Sequence, residues 1–188
     1  VGQERTFGER GMPTVKILPE RGVYTLILFL RGEALVGVGR LGLRRFLSGY
    51  YAYTGSGVGS GAAGLRHRVS RHLRTDKRNL WHIDFLLAHG CVSVIAVVAA
   101  ETAGNMECEV NRAIVVRAGA EVPVPGFGSS DCGRGCGSHL LFFRKRDVVS
   151  EVAGLYAEKF GGRSVSLLVS GGPGCKPYAS SRTEGQRI

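Results

Sequence analysis

With 188 residues, 44% of them hydrophobic and 21% charged, the chain has room for one ordinary domain and a modest extra segment, and it lacks the run of about 18 apolar residues that a membrane span needs. Residues 1–13 carry charge and glycine but no apolar stretch of the kind found in a secretory leader, so a cytoplasmic location is expected. Lys and Arg total 25 against 15 for Asp and Glu, a formal +10; because twenty of those cations are Arg, whose planar guanidinium suits phosphate oxygens, a nucleic-acid partner is expected, with affinity that falls as salt rises.

In chain order, residues 1–20 are polar and punctuated by Gly and Pro, and read as an N-terminal arm. A strand is predicted over Val23–Leu30, then turns around a short strand at Ala34–Val38. An aromatic strand at Tyr50–Thr54 follows, stopped by the Gly-Ser stretch 55–61. There the period changes: Leu65, Val69 and Leu73 recur every fourth residue, which predicts a helix over Gly64–Arg74. A second helix is expected at Leu80–His89, with Trp81, Phe85 and Leu86 inward. A buried strand at Val92–Ala99, a third helix at Met106–Arg117, a Gly-rich irregular segment at Val122–Ser138 and a strand at His139–Phe143 complete the main domain, residues 21–146. Asp147–Phe160 reads as a helix with Val148, Val152, Leu155 and Tyr156 on one side, within a C-terminal helix-and-strand appendage (147–170). Residues 171–188 read as a flexible basic tail. This order implies a mixed α+β (α/β) sandwich: a small, mainly antiparallel sheet flanked by helices.

Chemistry concentrates around the helix 64–74. Projected at about 100° per residue, Leu65, Val69 and Leu73 form its buried stripe, with Arg68 and His72 on the border. Arg66, His67, Ser70, Arg71 and Arg74 point away. A half-buried guanidinium needs an anionic partner, which an internal carboxylate or a substrate phosphate can supply equally well; the alternative is an Arg whose stem merely covers apolar surface. Strand alternation puts Tyr51 and Tyr53 on one face and Tyr50 and Ala52 on the other. Tyr hydroxyls serve as acids or bases where nearby charge tunes them, although strand tyrosines more often simply pack.

Gly22-Val23-Tyr24, Tyr53-Thr54-Gly55 and Gly64-Leu65-x-x-Arg68-x-x-x-His72 together resemble the motifs of the GIY-YIG nuclease superfamily. The long gap holding Val38-Gly39-Arg40-Leu41-Gly42 is similar to what the Uri-type, archaeal-type branch shows. The same holds for the block around Gly49–Ser56, for Trp81-His82-Ile83-Asp84-Phe85 and for Gly126–Cys132 running on to Ser138-His139-Leu140. The resemblance spans residues 22–143. It implies a metal-dependent DNA endonuclease that hydrolyses phosphodiesters, in DNA repair or in restriction of foreign DNA. Tyr24 and Tyr53 would flank the attacking water, Arg68 would hold the phosphate, and His72 would relay a proton or orient Tyr24. A glutamate on a later helix would bind one Mg²⁺ or Mn²⁺. Glu107 corresponds better to that position than Glu109. Ser56, Arg71, His82, Asp84, Ser130 and Asp131 are further candidates for substrate contact.

Two other readings compete. A chain with the same fold could bind nucleic acid without cutting it, and a zinc-stabilised structural protein could be built around Cys132, Cys136 and His139. The five cysteines (91, 108, 132, 136 and 175) are expected as reduced thiols. Cys132-x-x-x-Cys136-x-x-His139 could serve as a metal half-site, with Cys108 or Asp131 as the fourth ligand, but structural zinc sites usually show tighter, duplicated spacing. The cofactor that the resemblance implies is one Mg²⁺ or Mn²⁺ ion, with zinc at this half-site the less favoured alternative. The Gly55–Gly61 stretch is followed by no Lys-Ser/Thr pair, so a nucleotide-binding phosphate loop is not supported.

Overall fold

The computed structural model describes residues 15–144 and 147–169. A nine-residue strand, β1 (Gly22–Leu30), lies at the centre of a five-stranded sheet, and its near-continuous apolar sequence suits burial on both faces. β4 (Gly49–Gly57) and β5 (Val92–Ala100) flank it, and the edges are β6 (Leu140–Phe143) and β7 (Ser164–Leu168), giving the order β6-β4-β1-β5-β7. Every neighbouring pair is antiparallel. The expected mixed α+β architecture, with a mainly antiparallel sheet between helices, is the one observed.

One face is covered by α1 (Leu65–Leu73), α2 (His82–Leu87) and a separate hairpin of β2 (Ala34–Gly37) with β3 (Leu43–Phe46). Their apolar side chains close over Tyr24, Leu26, Leu28, Tyr51 and Tyr53. The other face, carrying Val23, Ile27, Ala52, Ala96 and Val98, packs against α3 (Glu107–Ala118) and α4 (Val148–Phe160). Among the described residues, no helix is long and apolar enough to cross a membrane.

Several elements differ from expectation. β3 is a strand that the sequence reading missed between the turn at 37–42 and β4. β4 runs on through Gly55-Ser56-Gly57, the stretch expected to end it, because β1 offers a ladder partner as far as Gly22↔Gly57. Strand pairing here overrides the poor intrinsic strand preference of Gly. In α2 the buried residues are Ile83, Asp84 and Leu86, whereas Trp81 is 37% exposed. Residues 15–20 are docked rather than loose: Leu18 is fully buried, and Arg66 grips its carbonyl through Nε (3.0 Å) and Nη2 (2.8 Å). Most of the segment expected as the N-terminal arm, and the tail 171–188, lie outside the described residues.

The C-terminal segment expected as an appendage is integral. β7 pairs with β5 from Ala96↔Leu168 to Ala100↔Ser164. α4 buries Val148, Val152, Leu155, Tyr156 and Phe160, the stripe foreseen from its spacing extended by one turn. Tyr156 Oη lies 2.9 Å from Thr25 Oγ1, which is itself 3.0 Å from Thr54 Oγ1, so α4 reaches the sheet centre by hydrogen bonds as well as by packing. A chain ending at residue 146 should therefore lose its cooperative unfolding transition in urea; a true appendage would leave midpoint and sharpness unchanged.

Candidate active site

The register of β1 on β4 sets Tyr24 opposite Gly55 and Leu26 opposite Tyr53, so the two tyrosines lie diagonally on one face. Tyr24 lies flat over β4: a Cβ on Gly55 would sit 2.7 Å from the Tyr24 Oη. Only glycine admits that approach, which accounts physically for the Tyr-Thr-Gly sequence. The Tyr24 hydroxyl is 2.9 Å from His72 Nε2 on α1. Burial pushes the Tyr24 hydroxyl well above its ordinary pKa, with Tyr53 adding to the shift and Arg68 opposing it. Burial likewise raises Tyr53, with Asp84 next, to about 12.

Behind the tyrosines stands a buried carboxylate. Asp84 is fully buried at the first turn of α2 and accepts the backbone N–H groups of Leu80 and Trp81, each at 3.0 Å. Arg71 Nη1 donates to both of its oxygens, at 3.1 and 2.9 Å. Its Oδ1 also lies 3.5 Å from His72 Nδ1, a close electrostatic contact rather than a formed hydrogen bond. Burial alone would raise the Asp84 carboxyl, but His72, the two backbone donors and Arg71 outweigh it and hold the group well below the usual carboxylate range. Burial lowers the pKa of His72, against the pull of Asp84, so the imidazole is neutral. A carboxylate facing Nδ1 favours the proton there, which leaves Nε2 to accept from the Tyr24 hydroxyl.

The cleft in front of these groups encloses about 380 Å³. Tyr24, Tyr53, Ser56, Arg68, Glu107 and Asp131 all contribute to its wall. Arg68 donates through Nη1 to the Ser56 carbonyl at 2.8 Å, while its buried Nε finds no hydrogen-bond partner among the described residues. The Oε2 of Glu107, on the first turn of α3, is buried and equally unpartnered. Ser56 Oγ accepts the Met106 N–H at 3.3 Å and so fixes the start of that helix. Of the two glutamates, Glu107 lines the cleft, whereas Glu109 is exposed and salt-bridged to Lys159 on α4.

The segment 122–139 forms the far wall. Gly128 donates its N–H to His82 Nδ1 at 3.0 Å and sits against Tyr53, where an added Cβ would come within 2.8 Å of the ring. Its φ of +70° is a second reason for glycine at this point. His82 is thus a loop anchor, ring to ring with Phe127, and forms no part of the cleft wall. Ser130 is exposed and lies off the wall, and Arg71 and Asp84 stand behind the tyrosines rather than in front of them. Arg71 therefore turns inward, against the helical projection, because the buried carboxylate of α2 draws it there.

Cys132 and His139 complete the wall, and with Cys136 and Cys108 they form a tight group. Cys108, not Asp131, is the fourth member; its place on α3 beside Glu107 is what brings it there. The expectation of reduced thiols holds for Cys108, Cys132 and Cys136, which are free, and fails for Cys91, which is disulfide-bonded. Backbone N–H groups of Cys136 and Arg134 lower the Cys132 thiol to about 7, whereas burial raises Cys108.

The sequence reading missed two contributors. Trp81, expected in the core, is a ledge of the cleft that carries the Arg71 guanidinium 4.4 Å above its ring centroid and Arg68 at 5.6 Å. The density of Arg on the preceding helix was the available signal. Asn105 reaches the wall from the loop before α3, and nothing in its sequence context marks it.

No curated protein and no solved structure matches the chain. A family model described as a domain of unknown function, DUF123, matches residues 23–160. That span runs from the start of β1 to the end of α4 and encloses every residue named in the cleft. By this match, over most of its length, the chain belongs to the DUF123 family.

Proposed function

We propose that the cleft is the active site of a metal-dependent DNA endonuclease of GIY-YIG type, hydrolysing phosphodiester bonds in DNA repair or in restriction of foreign DNA. The observation that carries this reading is the pairing of two unpartnered buried groups across one cleft, the Arg68 Nε and the Glu107 Oε2. A buried N–H of a guanidinium calls for an anion, and a buried carboxylate oxygen calls for a cation. A phosphodiester with a bound divalent ion satisfies both. The net charge of +10 and the preference of Arg for phosphate support a nucleic acid as the polyanion.

The residues present fit a hard cation. Glu107 offers the orphaned carboxylate oxygen, and Asp131 lines the same cleft, an oxygen donor set that suits Mg²⁺ or Mn²⁺. Such an ion, when bound, stabilises the charge that develops on the phosphoryl and leaving oxygens. Arg68 holds the phosphate and offsets the same charge from the protein side. Neutral His72 accepts the Tyr24 proton at Nε2 as the Tyr24 oxygen takes one from the attacking water, and Asp84 stabilises the resulting imidazolium. The Tyr53 hydroxyl, held at about 12, remains protonated and serves as a donor.

Cleavage of supercoiled plasmid and of plain, abasic, uracil-containing, flapped and junction duplexes with Mg²⁺ or Mn²⁺ tests the reading. Glu107→Ala and Arg68→Ala should each lower the single-turnover rate by about 10²-fold or more. DNA affinity, followed by fluorescence anisotropy, should stay within a few fold, and Glu109→Ala should cut normally. Cutting that persists undiminished in Glu107→Ala removes that residue from the metal role. Wild-type protein that binds every duplex and cuts none points instead to a non-catalytic binding module.

A pH prediction follows from His72. Its folded pKa is depressed below the ordinary value of about 6.5, so the neutral ring contributes stability that is present above about 6.5 and is lost as pH falls through the folded pKa. Urea midpoints should decline between pH 7.5 and 5, and the slope should flatten in His72→Gln. An unchanged slope would remove His72 as its source. The cleavage rate should drop across the same interval, because a protonated Nε2 no longer accepts from Tyr24.

A further inference from the structure

We infer that Cys108, Cys132, Cys136 and His139 form a closed, tetrahedral Zn²⁺ site that clamps the start of α3 to the 122–139 segment. Their ligand atoms all lie within 4.8 Å of one another. Cys108 Sγ is 3.3 Å from Cys132 Sγ and 3.7 Å from His139 Nε2. With Zn–S near 2.3 Å and Zn–N near 2.0–2.1 Å, a tetrahedron has S–S edges of about 3.8 Å and S–N edges of about 3.6 Å. The spacings of 3.3 and 3.7 Å lie within about half an ångström of these edges, and the 4.8 Å bound on the whole group within about 1 Å, which side-chain rotation can close. They are too long for a disulfide, whose sulfurs stand about 2.05 Å apart, and all three sulfurs belong to free thiols. A binuclear iron–sulfur cluster would hold ligands on opposite irons further apart than this group allows, so one ion is the fit.

The surroundings suit a metal as well as the distances do. Cys108 and His139 are buried and Cys132 and Cys136 are half-buried, which leaves the centre little access to water. Three sulfurs in contact at such a site gain nothing from one another as thiols, whereas a divalent cation turns the group into a set of strong bonds. The Arg112 guanidinium, which donates to the Arg134 carbonyl, lies close enough to act on Cys136 and offsets the net negative charge of a three-thiolate, one-imidazole centre. The His139 backbone N–H donates to the Phe127 carbonyl at 2.8 Å, which ties this ligand's main chain to the loop. With four protein ligands the site keeps no open position, so its role is structural. Cys108 adjoins Glu107 and Cys132 adjoins Asp131, hence the ion would set the spacing of the two cleft carboxylates. That consequence rests on the nuclease reading; the occupancy of the site does not.

Elemental analysis of the full chain, expressed with zinc in the medium and purified without chelating resin, provides the test. One zinc per chain is expected, with near-complete loss in Cys108→Ser and in Cys132→Ser/Cys136→Ser, and full retention in Asp131→Ala. Because the cysteine variants can fail to fold, wild-type protein stripped of metal is also titrated with Co²⁺. It should develop intense visible bands of tetrahedral thiolate coordination that Zn²⁺ then abolishes. The melting temperature of the stripped protein should recover with Zn²⁺ and not with Mg²⁺. Zinc far below one per chain together with a weak, octahedral Co²⁺ spectrum overturns the site. Retention of zinc in Cys108→Ser with its loss in Asp131→Ala overturns the ligand set. Each readout is independent of DNA cleavage, so failure of the zinc site and failure of the nuclease reading remain distinguishable.

Discussion

The register between β1 and β4 is the constraint on which the cleft depends. Pairing Tyr24 with Gly55 and Leu26 with Tyr53 places both tyrosines under α1 and α2, and the same register places Thr25 and Thr54 on the opposite face under α4. Side chains alternate along a strand, so a slip of one residue between β1 and β4 would put the two tyrosines on opposite faces of the sheet. The apolar content of β1 resists such a slip only weakly, because both faces are buried. Specific contacts supply the discrimination: the flat seat of Tyr24 on Gly55, and the Thr25–Thr54–Tyr156 chain on the other side.

Asp84 is the electrostatic counterpart of that register. A fully buried carboxylate is expensive to desolvate, and it persists because backbone donors and Arg71 satisfy its oxygens while His72 sits beside it. It links α1 to α2 through charge rather than through packing alone, and it selects the His72 tautomer that presents an acceptor to Tyr24. Removing one partner from such a buried pair typically costs about 3–5 kcal/mol. The position thus joins stability to the proposed chemistry: the contacts that hold α2 in place are those that set the protonation of the residue behind Tyr24.

The irregular segment 122–139 gains its shape from contacts with regular elements on both sides. His82 on α2 accepts from Gly128, Asn111 on α3 donates to the Ser138 carbonyl at 2.7 Å, and Cys108 faces Cys132. A long Gly-rich loop has a large conformational entropy to lose on ordering. Anchors at several points along it, with the proposed zinc as the strongest, explain how it can form a wall of a cleft whose opposite side is a rigid sheet.

Much of this was legible in the sequence, and the reasons differ by element. Periodicity placed α1, α3 and α4 to within a residue or two and gave the buried stripe of α4, because a packed amphipathic helix must repeat its apolar residues at helical spacing; in α1 it gave Leu65 and Val69, but His72 rather than Leu73 is the third buried residue. Alternation placed Tyr51 and Tyr53 on one face of β4, since strand geometry alone requires it. Tertiary pairing decided the rest. Gly55–Gly57 became strand because β1 supplied donors and acceptors, and Arg71 turned inward because Asp84 lay in reach. Trp81 was left at the cleft edge, and Glu107 rather than Glu109 was given an unpartnered oxygen. Cys108 was chosen over Asp131 to complete the sulfur group. Local spacing records which face of an element a side chain occupies; which distant group meets it there depends on how separate elements pack, and that is set by the whole chain.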